Sequence, residues 1–398
     1  MGVGKNTKET VLVVDAASKC SIPVIESCAA MGLRVAAMSD KKRCCGFLSR
    51  HTRERFVCPS QRNSPDACLE FLLNFLRRRR ISVLFPMGHF MTDFIARHQD
   101  ELRRYTDLVL PPYEVFVKGL NKISTLQAAG WVGCPIPKSW YPKEMTIQDI
   151  AGEADFPVLI KPAVSVGARG ITYCYSAEEL VEKLPKVERH FGDCLVQEFV
   201  PQTGTQYKCA IIIDACQELL AGIVYAKLRY YPVNGGSSTL NKTVERSELM
   251  DFALKVAKEL KWFGTCDFDF ITDPRDNVIK LMEINPRFSD TYKMTAVAGQ
   301  DMTKIIYQLA KGQKPVPQLQ YQKDRYMRFL FGDAMWFLKA GGQRFKTKPS
   351  FFDFFRSDTS FLMTGTNDLG PMLGYVLENL SMLWDKQSRE FRLRRHNV

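Results

Sequence analysis

The chain has 398 residues, 45% hydrophobic and 25% charged, with a formal net charge of +12. That composition excludes extensive disorder, and the length allows two or three structural layers. No apolar run approaches the roughly 18–20 residues that cross a bilayer.

In chain order, MGVGKNTKETVLVVDAA has only a four-residue apolar run before Asp15 and carries Asn6 where a myristoylation pattern needs Ser or Thr. It therefore reads as neither signal peptide nor lipid anchor, and the expected location is cytoplasmic. VLVVDAA (11–17) predicts a buried strand, Pro23 to Gly32 a helix stopping at glycine, and LRVAAMSD (33–40) a second strand. Ser64–Pro65 mark the start of a helix through DACLEFLLNFLRRRR, followed by strands at ISVLFPMG (81–88) and DLVLPP (107–112). This alternation implies a parallel sheet with covered faces. The first strand-to-helix turn, DAASKCSIP, lacks G-x-G-x-x-G, so dinucleotide binding is not supported there.

In the middle of the chain, FPVLIKPAVSVGARGITYC (156–174) reads as strand, loop, strand. Lys161 ends the apolar run and can carry a point charge to phosphates. Gly167 and Gly170 allow backbone amides to close over anionic oxygens, and Arg169 adds charge. CLVQEFV (194–200) is a further strand, whose end could offer backbone groups to an adenine edge or simply be core.

LMEINPRFSD (281–290) sets Glu283, Asn285 and Arg287 at alternate positions, hence on one strand face. Oxygen ligands beside a guanidinium suit a hard cation carrying a polyphosphate. If GTCDFDFI is the antiparallel partner across the turn TDPRDN (272–277), Asp267 or Asp269 joins that face. KGQKPVPQ reads as a linker, and MLGYVLENLSMLWDK (372–386) has helical periodicity.

The twelve cysteines run from Cys20 to Cys266 with no C-x-x-C pair, and the five histidines are dispersed. They are expected to be reduced structural thiols. Basic clusters at Arg77–Arg80 and in the terminal FRLRRHNV raise nucleic-acid binding. With no zinc finger, RNP pattern or heptad beside them, a helix end and an anionic substrate are the preferred explanation.

Taken in order, these segments resemble the ATP-grasp superfamily, in its carboxylate–amine ligase branch akin to carbamoyl-phosphate-synthase-like and D-alanine–D-alanine-ligase-like proteins, over roughly residues 10 to 310. The resemblance implies an α/β fold: a parallel pre-ATP-grasp domain (1–112), an ATP-grasp domain (113–312) whose subdomains (113–197 and 198–312) clasp ATP, and a mixed C-terminal extension (313–398). It implies Lys122 and Lys161 on the phosphates, a phosphate loop through Gly167, Arg169 and Gly170, and a hinge at Gln197, Glu198, Phe199 and Val200 for adenine. Asp267, Glu283 and Asn285 are implied as ligands of Mg²⁺ or Mn²⁺. Arg229 and Arg287 are implied as the catalytic cations, with Gly235–Gly236 bordering the γ-phosphate.

Gln206 stands where relatives usually carry an acidic residue for the ribose. Val166 and Ala168 replace more usual glycines, and FSD after Arg287 replaces a small-residue run. The implied chemistry is ATP-dependent activation of a small-molecule carboxylate and its capture by an amine. The alternatives are carboxylase-like chemistry, carboxylate–thiol ligation, or a non-catalytic nucleotide-binding module with nucleic-acid contacts. The resemblance allows a homodimer, but no segment identifies an interface.

Overall fold

The structure, a computed structural model, describes residues 8–233, 236–364 and 368–384. The N-terminal sequence and the basic C-terminal run discussed above, as well as Gly235, lie outside the described residues in whole or in part.

Four parallel strands build the first sheet: β1 (Thr10–Val14), β2 (Arg34–Ser39), β3 (Thr52–Val57) and β4 (Val83–Pro86), in the order β3-β2-β1-β4. Val11 to Val14 are all buried, as a run apolar on both faces requires. The helix Pro65–Arg78 opens on its proline, although Ser64 makes no side-chain cap bond, and ends on Arg77 and Arg78. The expected strand at DLVLPP reduces to a single bridge between Val83 and Asp107. Pro111 and Pro112 lack the donors a ladder needs. The fourth strand is β3, where Arg53 and Arg55 face solvent and Glu54 accepts from Arg34 at 2.9 Å. A charged edge strand of this kind carries no apolar signature.

A small sheet follows: β5 (Ser139–Trp140), β6 (Val158–Pro162), β7 (Thr172–Cys174) and β8 (Cys194–Glu198), ordered β5-β8-β6-β7. Val158, Ile160 and Val196 pack with Leu180, Leu184 and Val187 of the helix Ala177–Phe191. That amphipathic helix covers one face and leaves the other for a ligand.

The third sheet has seven strands: β9 (Gln206–Ile213), β10 (Leu219–Tyr231), β11 (Ser237–Thr243), β12 (Gly264–Thr272), β13 (Ile279–Asn285), β14 (Tyr326–Arg328) and β15 (Thr359–Phe361). Their order is β13-β12-β9-β10-β11-β14-β15. On one face Cys209, Ile211, Val224, Phe268 and Phe270 join a core with the helices Tyr113–Leu120, Lys122–Trp131 and Ser247–Glu259. On the other face Ala210, Ile212, Ile223 and Tyr225 share a core with Val13 and Phe85 of the first sheet.

The C-terminal segment completes the large sheet and reaches back to the first. β14 pairs with β11 and β15 with β14. The helix Gly370–Trp384 lies on the short helix Cys45–Leu48 so closely that a Cβ on Gly374 would stand 2.4 Å from the Cys44 carbonyl oxygen. Asp368 accepts from Ser49 Oγ at 2.8 Å and from the Arg50 amide at 3.0 Å. Among the described residues no helix is long and apolar enough to cross a membrane.

Candidate active site

The antiparallel pairing of β12 with β13 puts Asp269 opposite Glu283 and Asp267 opposite Asn285. Phe268 and Phe270 turn into the core, so the intervening carboxylates turn to the other face. Asn285 Nδ2 donates to Asp269 Oδ2 at 2.8 Å and to Glu283 Oε1 at 3.3 Å, while its Oδ1 accepts from Arg287 at 3.0 Å. Glu283, Asn285 and Arg287 are therefore brought together as the alternation predicted.

The aspartate that joins them is Asp269. The assignment of Asp267 by resemblance differs from this geometry: Asp267 is fully buried one pair further along the ladder, with the Lys208 ammonium 3.5 Å away. Burial pushes its carboxyl above the usual carboxylate range, against the pull of Lys208. Asp269 is buried too, yet Lys208 at 3.0 Å and Lys227 beside its other oxygen hold its carboxyl well below that range.

Lys208 and Lys227 were missed in the sequence. Lys208 sits in QYKCAIII, where period-2 alternation places it with Gln206 on the face opposite Tyr207 and Cys209. That pattern was the available signal.

Across the cleft, Asn121 caps the helix Lys122–Trp131 through its side-chain oxygen, and the Lys122 amide donates to Ala163 at the end of β6. Lys122 Nζ donates to the Ser165 carbonyl at 3.1 Å and to Ser165 Oγ at 3.2 Å. Lys161 is buried and donates to Gln197 Oε1. Burial brings its ammonium down to about 8, with Glu283 pulling upward and Lys122 adding to the fall. Lys122 is likewise lowered by burial and supported by Glu283. Glu283 of the large sheet thus acts on both lysines of the opposing wall.

The loop between them has left-handed backbone at Gly167 (φ 66°), Ala168 (φ 62°) and Gly170 (φ 72°). A side chain at Gly170 would run into Pro162 and Phe191. Ala168 holds a conformation that glycine adopts at lower cost. Arg169 is half-buried on this loop.

At the hinge, Gln197 donates to Ser139 Oγ at 2.8 Å. Glu198 accepts from the Lys138 amide at 2.9 Å, Lys280 at 3.1 Å and Arg275 at 2.8 Å. The Phe199 amide donates to Pro157, and Phe199 packs near Tyr173. The Val200 carbonyl accepts from Gln202, whose Oε1 accepts from Gln206 at 3.2 Å. The neutral amide at position 206 is therefore coupled to the hinge backbone through Gln202.

Arg229 departs from its expected place. It is buried against Trp336, donates to Asp333 at 2.9 Å and to Thr347 at 3.1 Å, and also reaches the Pro349 carbonyl. Register shifts on either side of Arg229 separate its course from that of Lys227. Gly236 follows the end of β10 so tightly that a Cβ would meet the Tyr231 carbonyl.

Two further groups come from the loops of the first sheet. His89, at the start of the helix His89–Arg97, is brought down to about 4 by burial and by Arg287 and Lys122. Lys19 pairs with Asp290 at 3.0 Å. The loops after β1 and β4 thus close the cleft beside Arg287.

Residues 122–219 and 232–317 match the family model described as the ATP binding domain of the carbamoyl-phosphate synthase L chain. The biotin carboxylase domain of the Hydrogenobacter thermophilus 2-oxoglutarate carboxylase superposes with a TM-score of 0.66 at 17% identity, covering 80% of this chain and 73% of that one. Residues 122–317 carry an ATP-grasp domain. The chain is also similar to the C-terminal section of the carbamoyl phosphate synthase large chain of Methanocaldococcus jannaschii, 25% identical over 213 residues, covering 50% of this chain and 32% of that protein. The D-aspartate ligase of Enterococcus faecium is 22% identical over 258 residues, covering 60% of this chain and 61% of the enzyme. The chain thus spans between about a third and three fifths of the length of these curated relatives.

Proposed function

We propose that the protein is an ATP-dependent ligase that activates a small-molecule carboxylate as an acyl-phosphate and passes it to an amine. The observation that carries this reading is the facing pair of walls. Lys122 and Lys161 stand on one side, and Asp269, Glu283, Asn285 and Arg287 stand on the other, with Glu283 supporting the charge of both lysines. The similarity to a D-aspartate ligase favours carboxylate–amine ligation.

Among the described residues no three carboxylate, imidazole or thiolate groups converge on one point. The donor set is two carboxylates and an amide oxygen. That set fits a hard divalent cation which keeps phosphate and water as its other ligands. Asp269, Glu283 and Asn285 would hold Mg²⁺ or Mn²⁺, which neutralises phosphate charge when bound.

The substrate carboxylate oxygen attacks the γ-phosphorus and ADP leaves. An amine nitrogen then attacks the acyl carbon, phosphate departs, and the amine loses a proton. Lys161, Lys122 and Arg287 stabilise the transferring charge. The loop 163–170 is the segment that covers the nucleotide and keeps water from the acyl-phosphate. The hinge from Gln197 to Val200 receives adenine, with Gln206 toward the ribose.

The test is turnover of purified protein with Mg-ATP, pooled amino acids and small carboxylates, with and without bicarbonate. The expected result is pool-dependent release of ADP and phosphate with a product one water lighter than two pool members. A product that requires bicarbonate would replace ligation with carboxylation. Unchanged turnover in both Lys161→Ala and Glu283→Ala would sink the site assignment.

A further inference from the structure

We infer that the C-terminal segment carries a docking surface for an anionic phospholipid membrane. Phe337, Phe345, Phe351 and Phe352 form one ring cluster with centroids 4.2 to 5.7 Å apart. Its outer members stay open: Phe345 is 67% exposed, Phe352 60%, the neighbouring Leu338 65%, and Phe355 is fully exposed. Clustered large apolar side chains open to water mark a surface that meets something apolar.

Charge decides what that is. Lys339, Lys346 and Lys348 are exposed along the same segment, and Arg344 lies over the rings of Phe337 and Phe345. None of these four cations forms an ion pair with a carboxylate among the described residues. Beside the cluster, a concavity of about 700 Å³ is lined by Lys242, Tyr326, Lys348, Ser350 and Arg356 together with Asp353; Lys242 and Arg356 are paired with Asp324 and Asp358, so Lys348 is the cation it offers a phosphate-bearing headgroup. Apolar side chains flanked by Lys339, Arg344, Lys346 and Lys348, four cations against the one exposed carboxylate of Asp353 in residues 337–355, fit an anionic lipid surface: the rings enter the headgroup–acyl boundary while the cations remain at the phosphates.

Two other occupants fit less well. Single-stranded nucleic acid needs open ring faces for stacking. Here Phe337 meets Phe345 at 88° and Phe352 at 75°, and Arg344 covers two of the faces. A second copy joined through the same patch would bring these like charges together across the interface.

The experiment is co-sedimentation of the full chain with phosphatidylcholine vesicles and with 3:1 phosphatidylcholine:phosphatidylserine vesicles, at low and at high salt. Binding is expected only to the phosphatidylserine vesicles, and high salt should weaken it, since each surface cation strengthens such binding about fivefold. Phe352→Ser/Phe355→Ser and Lys346→Ser/Lys348→Ser should each weaken it at least about tenfold, with melting temperature and nucleotide binding unchanged.

Failure to pellet with phosphatidylserine vesicles at low salt overturns the proposal, as does equal binding to neutral vesicles. Light scattering that shows a dimer abolished by Phe352→Ser assigns the patch to a second copy and also overturns it. So does RNA retardation lost in the same variants without vesicle binding.

Discussion

Lys161 shows how a single side chain trades stability for a ligand. Its ammonium is buried and brought down to about 8, so at neutral pH the fold carries a charge that burial disfavours. The folded value lies below the unfolded value of about 10.4, so the unfolded chain binds the extra proton between the two. The penalty is full below about 8 and is relieved as pH rises from there toward about 10.4. Lys161→Met should therefore raise the melting temperature at pH 7, removing a cost of up to about 3 kcal/mol, and the gain should fade above pH 10. ATP affinity of the unmodified protein should move the other way, falling as pH rises through 8, while the variant binds weakly at every pH. Calorimetric titration and thermal melts across pH check both trends. The two aspartates of β12 separate in the same manner. Asp269→Asn should raise the Mg²⁺ concentration for half-maximal turnover at least about tenfold, because it removes a charged oxygen donor beside Glu283. Asp267→Asn, altering a buried group one pair away, should change that concentration less than about threefold. Equal effects would return Asp267 to the donor set.

At the scale of elements, the β12–β13 hairpin was legible because Asp267 and Asp269 alternate with Cys266, Phe268 and Phe270, because Glu283, Asn285 and Arg287 fall two apart, and because TDPRDN is turn chemistry. The choice between Asp267 and Asp269 was not legible, since residues two apart share a face and only cross-strand register separates them. The register shift between Asp269 and Phe270 is invisible in the sequence. Arg229, which the resemblance implies as a catalytic cation, pairs instead with Asp333, and the irregular pairing of β10 with β11 around it is equally invisible in the sequence. Its partner Asp333 accepts from Arg229 at 2.9 Å, Arg328 at 2.6 Å and Thr239 at 3.1 Å, all of them buried. Asp333→Ala would leave two guanidinium groups buried without their carboxylate, a loss of about 3–5 kcal/mol. Denaturant unfolding should show that loss. A change under 1 kcal/mol would mean that the Pro349 and Phe351 carbonyls, together with the surrounding rings, suffice to hold both arginines.

Across the whole molecule, the C-terminal segment joins what the sequence presents as separate regions. Its aromatic and basic residues gave no period to follow, and β14 and β15 are too short to read from pattern. The contact that fixes this architecture is between backbones: Gly370 meets Leu48, and Gly374 meets Cys44, where no Cβ fits. Enlarging Gly374 should lift the helix Gly370–Trp384 from the short helix Cys45–Leu48 while leaving the candidate site untouched. Gly374→Leu is therefore expected to cost about 1–3 kcal/mol from overpacking and to hasten proteolysis in the linker between Lys311 and Arg325. Gly152→Ala is the matched control, because a Cβ there meets nothing within 4 Å. In the helix Ile147–Glu153 it should gain about 0.5–1 kcal/mol. If Gly374→Leu melts and digests like the control, the C-terminal helix is not what holds the first sheet against the large sheet. That role would then fall to the apolar contact of Val13 and Phe85 with Ile212 and Ile223.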